Sequence, residues 1–198
     1  MNRFHEASLV AIACACALAA CSNEQATATG VAAEKAAVPA VAQTSGPTSD
    51  PCALVTDREV RQAFADAKPG KRDGRLDKYD IATCTWDTPA NTFVAQIFKA
   101  KGSVEDELRS RASGVIDPVK PGAGKDVRYD KLPGVGEDTM ITAEKGDAAQ
   151  GLFNDVVVLV TKRGDHMAVL FAHSLIDDDR AKTIAAMEAL GRSAAGRL

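Results

Sequence analysis

Two runs of β-branched and aliphatic residues, joined by a short turn, constrain the fold of this chain more than any other feature of its sequence. They occupy residues 154–174, NDVVVLVTKRGDHMAVLFAHS, on either side of KRGD. Gly164 and Asp165 are residue types that favour turns, and two such runs around a short turn predict a β-hairpin. We therefore expect the chain to fold around an antiparallel sheet.

Helical and strand patterns alternate along the rest of the folded region. Thr56 and Glu59 have the spacing of a capping box, and Ser103 is a favourable N-cap, so helices are expected to begin at these points. Helices are predicted over residues 51–67, 103–114 and 177–198, and further strands over residues 81–86, 91–100 and 138–145. This order predicts an α+β fold, an antiparallel sheet of about five strands with helices packed on it and one disulfide.

The N-terminal segment has the pattern of a signal peptide. Residues 7–20 contain no charged residue, and this apolar run is too short to span a membrane. The LAAC sequence at residues 18–21 resembles the lipobox of bacterial lipoproteins. The resemblance implies that residues 1–20 are removed and that Cys21 becomes the lipid-bearing first residue of the mature chain. The alternative is a buried helix of a globular domain.

The lipobox resemblance also implies a location. The mature protein would be held in the cell envelope by lipid on Cys21, so that the membrane is its first partner. Ser22 stands where the inner-membrane retention signal of lipoproteins usually has aspartate, which favours the outer membrane, facing the periplasm, in a Gram-negative host. The formal net charge of −3 does not favour a nucleic acid as a further partner.

Composition divides the mature chain into two parts. Residues 21–50 comprise the lipidated cysteine and a segment rich in Ala, Thr and Ser that lacks Leu, Ile, Met and aromatic residues. Such a segment cannot bury enough apolar surface to fold alone, so we predict a disordered tether. Residues 51–198 have a suitable length for a single α+β domain.

The cysteines predict one disulfide. Cys14 and Cys16 lie in the segment that would be removed, and Cys21 would be lipidated. Cys52 and Cys84 remain, an even number in a chain exported to an oxidising compartment, and they are expected to pair. The alternative is a reactive or metal-binding pair, but the two cysteines lack nearby histidines that would complete a zinc site.

Three short motifs resemble a known family. They are Pro51-Cys52, Cys84-Thr85-Trp86 and the segment from Leu132 to Asp138. Together they resemble the Cys-containing secreted lipoprotein family of unknown function common in actinobacteria, over about residues 50–195. The third motif departs from that family, because the expected glycine-aspartate is replaced by Gly136-Glu137-Asp138. The resemblance implies no catalytic residues.

The polar side chains do not form a recognisable catalytic or metal-binding motif. His166 and His173 are seven residues apart in a strand pattern, so they should face opposite sides of the sheet. The acidic run of residues 177–179 is better placed as a helix cap than as a calcium loop. The RGD sequence of residues 163–165 is interpreted as a turn, although the same tripeptide serves in cell adhesion. We therefore predict no catalytic residue, metal or cofactor.

A candidate binding surface and three functional hypotheses follow. The candidate surface comprises Trp86, Leu132, Pro133, Gly134 and His173, where Trp86 could instead pack on the disulfide. The leading hypothesis is a non-enzymatic envelope lipoprotein that binds a protein partner or a small apolar ligand, on an uncovered sheet face or in the groove beside LPGVG. The alternatives are an enzyme or metal-binding protein whose site is assembled only in the fold, and a structural role at the cell surface. Convergence of the histidines and carboxylates in a pocket would favour the enzyme.

Overall fold

The computed structural model describes residues 48–88 and 92–198. The predictions for the signal peptide, for Cys21 and for all but the last residues of the tether lie outside these residues. So do residues 89–91, at the junction of the strands predicted over residues 81–86 and 91–100.

Helices and strands alternate in the order expected of an α+β chain. The helices are α1 (Asp57–Ala63), α2 (Val104–Ala112) and α3 (Arg180–Arg197). The strands are β1 (Lys71–Asp73), β2 (Ala82–Asp87), β3 (Thr92–Lys99), β4 (Asp130–Lys131), β5 (Asp138–Glu144), β6 (Val156–Arg163) and β7 (His166–Ala172). Short 3₁₀ turns lie at Pro51–Ala53, Gly74–Tyr79, Ser113–Val115, Ala148–Gln150 and Ile176–Asp178.

The described strands form one antiparallel sheet in the order β1-β2-β3-β7-β6-β5-β4. The prediction of about five strands is therefore wrong, because this sheet has seven. The two additional strands are β1 and β4, one at each edge. They are three and two residues long and every residue in them is charged, so they lack the apolar alternation by which a strand is recognised. Charged, short edge strands also discourage pairing with another chain.

The hairpin of β6 and β7 lies in the middle of the sheet. Gly164 and Asp165 form its turn, and Gly164 has a φ of +58°, a conformation that favours glycine. Residues on both faces of β6 are buried, since helices cover both sides of the sheet here. Its continuous apolar run follows from this double burial.

One face of the sheet is covered by α1 and α3, and the other by α2. On the first face, Trp86, Phe93 and Leu170 pack with Met187 and Leu190 of α3. On the second face, residues of α2 pack against valines of the hairpin; this core includes Val104, Leu108, Ala112, Val156, Val158, Val160 and Val169.

The segment predicted as a first helix is divided. A 3₁₀ turn holds Cys52, and α1 begins only after Thr56, whose hydroxyl accepts the Glu59 N–H while the Glu59 carboxylate accepts the Thr56 N–H. The structure contains the predicted disulfide between Cys52 and Cys84, with a Cα–Cα distance of 5.1 Å. This bond joins the 3₁₀ turn to β2.

The other two helices begin close to the predicted residues. Ser103 caps α2 through the Asp106 N–H, and Asp179 caps α3 through the Lys182 N–H. Asp177 and Asp178 precede α3 in a turn with positive φ. Within residues 48–88 and 92–198, none of these helices combines the length and apolar character that crossing a membrane requires.

Candidate functional site

An open cleft of about 700 Å³ lies at the end of the sheet where β2 begins and β3 ends. We call it the end cleft. Its walls come from the start of β7, from the 3₁₀ turn at Gly74–Tyr79, from α2 and from Thr48 and Ser49, which precede the first 3₁₀ turn. Thr48 is held there by a hydrogen bond from its backbone N–H to the Arg197 carbonyl, 3.0 Å long.

The floor of the end cleft is apolar. Ala82 and Ile97 are opposite each other in the register of β2 and β3, and Ile81 and Phe98 extend the apolar surface. Successive residues of a strand point to opposite faces, so Ile97 and Phe98 line the cleft from the two sides of the sheet. The guanidinium of Arg111 lies 5.5 Å from the centre of the Phe98 ring. The cleft therefore wraps around the end of the sheet.

Charged side chains surround this floor, and several of them neutralise one another. Arg72 pairs with Asp77 at 2.9 Å, and Arg111 pairs with Glu107 at 2.6 Å. Two further lysines line the cleft, Lys99 and Lys101. In the part of the chain that the structure describes, Lys99 and Lys101 form no ion pair. The third carboxylate of the cleft, that of Asp80, forms none within the same residues either.

His166 brings an imidazole to the end cleft. It lies opposite Lys99 in the register of β3 and β7, and its Nδ1 is 2.8 Å from Oδ1 of Asp165. The Asp165 side chain is 77% exposed in the hairpin turn. Among the described side chains, no hydroxyl is hydrogen-bonded to His166; the Thr48 hydroxyl bonds instead to the backbone of Asp50. The cleft thus holds a histidine–carboxylate pair without a hydrogen-bonded nucleophile.

Residues 16–147 match the sequence profile of a family described as "Protein of unknown function (DUF3558)". The chain belongs to the DUF3558 family. Comparison with curated proteins and with solved structures gave no match. Because the function of the DUF3558 family is unknown, membership assigns no activity to the end cleft, and the geometry of the site carries the functional argument.

Two residues of the predicted binding surface of this DUF3558 chain belong to its core. Trp86 is fully buried and donates its Nε1–H to Asp57 Oδ1 at 2.8 Å, and Leu132 is only 9% exposed. Trp86 and Leu132 therefore do not present a surface for stacking or docking. The Asp57 carboxylate also accepts the Gly70 N–H at 2.9 Å. These hydrogen bonds, first from Gly70 and then from Trp86, hold the pKa of Asp57 below its ordinary value.

Pro133 and Gly134 are exposed at a tight bend. Gly134 lines a second groove of about 460 Å³, the groove expected beside LPGVG. The two arginines that line this groove, Arg163 and Arg192, already donate hydrogen bonds to backbone carbonyls. Arg192 donates to the Gly134 carbonyl at 2.9 Å, and Arg163 donates to the last turn of α3 at 3.3 Å. This groove offers a ligand fewer free charged groups than the end cleft does.

His173 follows β7 on the face opposite His166, as the spacing of the two histidines predicts. Its ring meets Phe171 edge to face, with ring centres 4.4 Å apart. The two histidines are therefore not brought together. Within the described ranges, no group of three or more His, Cys, Asp or Glu side chains is arranged to hold a metal ion.

The end cleft itself was not predicted from the sequence. Its residues come from separate segments between Thr48 and His166, and no motif links them. The single signal available was the pair of lysines that follows an apolar strand, Lys99 and Lys101 after Ile97 and Phe98. That pattern is common at the ends of strands in any soluble domain.

Proposed function

We propose that this DUF3558 protein is an envelope lipoprotein, anchored by lipid on Cys21, whose folded domain binds a small ligand in the end cleft without transforming it. The LAAC sequence at the end of an uncharged apolar run, followed by a polar segment, supports the anchor. A lipoprotein with two or three acyl chains is held firmly in a membrane, whereas one chain holds only marginally. In a Gram-negative host the domain would face the periplasm from the outer membrane.

The observation that carries the binding proposal is the composition of the end cleft. Ligand sites typically combine a mostly apolar concave surface of about 300–1,000 Å³ with a few polar groups that orient the ligand. The end cleft has this volume, an apolar floor around Ile97 and free lysines at its rim. Catalysis by nucleophile and base needs the two groups within hydrogen-bond reach, and the described residues of the cleft do not provide that contact.

The anchor is tested by the Cys21→Ser variant. Serine offers no thiol for a thioether bond to lipid, so this variant should leave the membrane fraction, whereas a Cys14→Ser control should remain there. Detergent-phase partitioning after cell fractionation measures the difference. A Cys21→Ser protein that still enters the detergent phase would show that the lipoprotein interpretation is wrong.

Ligand binding is tested on protein purified from its own envelope. Native mass spectrometry should show a small molecule bound to the wild-type protein. Ser49 lies exposed on the cleft wall, so Ser49→Trp should obstruct the end cleft and reduce the bound fraction. Ser110→Trp places the same indole on the exposed surface of α2 and should leave binding unchanged. Equal binding by all three proteins would refute the cleft as the binding site.

One observation favours an enzyme as the second candidate. His166 Nδ1 lies 2.8 Å from Asp165 Oδ1, and the open cleft that His166 lines also contains Ser49. A hydrolase of this kind should lose turnover in His166→Ala while the circular dichroism spectrum is unchanged. Loss of turnover with an intact fold would replace the binding proposal, whereas turnover that is the same in wild type and His166→Ala would exclude His166 as a catalytic residue.

A further inference from the structure

We propose that the end cleft takes an anionic amphiphile with a single alkyl chain, its acidic head at Lys99 and Lys101 and its chain along Ile81, Ala82 and Ile97. This inference rests on the proposed function of the cleft as a ligand site and adds the chemical class of the ligand. It follows from two independent properties of the cleft, the apolar floor and the distribution of unpaired charge.

The apolar floor is accessible mainly at Ile81 and Ala82, which are both half-buried, because Ile97 is almost fully buried. Ile97 is 5% exposed and pairs with Ala82 across the two strands, while Ile81 directly precedes Ala82 and is half-buried. These three side chains lack polar atoms, so they can contact a ligand only through apolar groups. An alkyl chain laid on them would remove apolar surface from water on both sides of the contact, which is favourable in proportion to the area buried.

The unpaired charges at the rim of the cleft favour a ligand with a negatively charged head group. The carboxylates of Asp77 and Glu107 are each within 3 Å of an arginine, so they are already neutralised. Lys99 and Lys101 have no such partner among the described residues, and both are exposed. The carboxylate of Asp80 lies on the same cleft but forms no ion pair with either lysine. The free positive charge is therefore concentrated at the end of β3.

His166 adds a second hydrogen-bonding group beside this positive charge. It is the cross-strand neighbour of Lys99. Because its Nδ1 faces Asp165, the other ring nitrogen, Nε2, remains for a ligand. A carboxylate or phosphate accepts hydrogen bonds from lysine ammonium groups, whereas Nε2 of the imidazole is an acceptor when Nδ1 alone carries a proton and donates only when both ring nitrogens carry protons. A neutral alcohol could accept a hydrogen bond from one of the ammonium groups but would lack the attraction between opposite charges.

The proposal predicts a ranking of four water-soluble probes: octanoate, octyl phosphate, 1-octanol and acetate. Isothermal titration calorimetry uses the full chain with Cys21→Ser, exported so that Cys52 and Cys84 can pair. Octanoate and octyl phosphate should bind more tightly than 1-octanol, and acetate should not bind measurably because it lacks the chain. Tighter binding of octanoate would indicate a fatty acid as the ligand, and tighter binding of octyl phosphate would indicate a phosphate-bearing lipid. Equal affinity for octanoate and 1-octanol, or for octanoate and acetate, would overturn the proposal.

Matched lysine variants test the position of the head. The double variant Lys99→Ala, Lys101→Ala should weaken octanoate binding about fivefold or more and leave 1-octanol binding unchanged. Lys125→Ala with Lys131→Ala removes the same charge from exposed sites away from the cleft and should leave both affinities unchanged. Lys99→Arg with Lys101→Arg should restore octanoate binding. An equal loss of octanoate affinity in the control variant, Lys125→Ala with Lys131→Ala, would refute a local role for Lys99 and Lys101.

The outcome is separable from that of the proposed function. Protein purified from the envelope could carry a ligand that Ser49→Trp displaces and yet bind neither octanoate nor octyl phosphate. That result would overturn only the assignment of an anionic amphiphile and would leave the cleft as a binding site. Absence of any ligand sensitive to Ser49→Trp would instead overturn the cleft as a binding site.

Discussion

Gly70 lies so close to the Trp86 indole that no side chain fits between them. A Cβ built on Gly70 would be 2.5 Å from Cε2 of Trp86. The indole is fully buried and hydrogen-bonded to Asp57, so it cannot move aside without losing that bond. We expect Gly70→Ala to lower the free energy of unfolding by about 1–3 kcal/mol, as measured by urea denaturation.

The control for this prediction is Gly114→Ala. A Cβ at Gly114 would have no atom within 4 Å, so the change in unfolding free energy should stay within about 1 kcal/mol. If both alanine variants were equally stable, the close contact between Gly70 and Trp86 would have no energetic consequence.

Glu59 links the first helix to the last. Burial alone would raise the pKa of its carboxyl, but hydrogen bonds from Arg197, the Thr56 backbone and Ser193 outweigh burial and lower the pKa from 4.5 to about 2. A lowered folded-state pKa stabilises the fold above pH 4.5, and this contribution is lost as the pH falls towards 2. Glu59→Gln should therefore cost about 1–3 kcal/mol at neutral pH and little near pH 2.

The pH dependence of unfolding by urea measures this difference. Glu105→Gln is the control, because Glu105 forms an exposed pair with Arg109 at 2.9 Å and such pairs contribute about 0.2–1 kcal/mol. A stability difference between wild type and Glu59→Gln that stayed constant from pH 7 to pH 2 would contradict the assignment of the pKa shift to Glu59.

At the scale of elements, the disulfide attaches the first 3₁₀ turn to β2. It closes a loop with a sequence separation of 32. Closing a loop of this length lowers the entropy of the unfolded chain and so stabilises the fold by about 3–4 kcal/mol. The double variant Cys52→Ala, Cys84→Ala should lose about this much unfolding free energy. Equilibrium denaturation with and without a reducing agent measures the loss. Reduced wild-type protein that is as stable as oxidised protein would contradict the prediction.

The elements that the sequence could predict are those with a periodic apolar pattern. The hairpin around Gly164, the cap at Ser103 and the capping box at Thr56 follow from local chemistry and are present in the structure. β1 and β4 are paired through hydrogen bonds to longer neighbours, and their own residues are polar. No local pattern could have revealed them, because tertiary contacts determine their conformation.

The same distinction applies to the candidate site. Trp86 is two residues from Cys84, so the sequence places both on one face of a strand, and they do share one core cluster. Whether that face is exposed depends on α1 and α3, which are distant in sequence. The end cleft depends on an even wider set of segments, from Thr48 to His166. Long-range packing, which a single sequence does not encode locally, therefore decides which residues can meet a ligand.

At the scale of the whole molecule, stability should decrease from the middle of the sheet to its edges. β6 and β7 are paired on both sides and covered by helices on both faces, whereas β1 and β4 each have one neighbour. Amides that open only through global unfolding exchange slowest. Hydrogen exchange should be slowest at Leu159, Val160 and Leu170 and fastest among the strands in β1 and β4. Equal protection of β1 and β7 would contradict this gradient.

The disulfide also defines how the domain would respond to mechanical force. A pull on the chain preceding Cys52 passes through the sulfur–sulfur bond directly into Cys84, in a strand that is paired on both sides. Residues 53–83, including α1 and β1, lie outside this covalent path. A lipid anchor on Cys21 would thus be tethered to the sheet itself, and tension would reach the Glu59–Arg197 pair only through noncovalent contacts, such as the hydrogen bond from the Thr48 N–H to the Arg197 carbonyl.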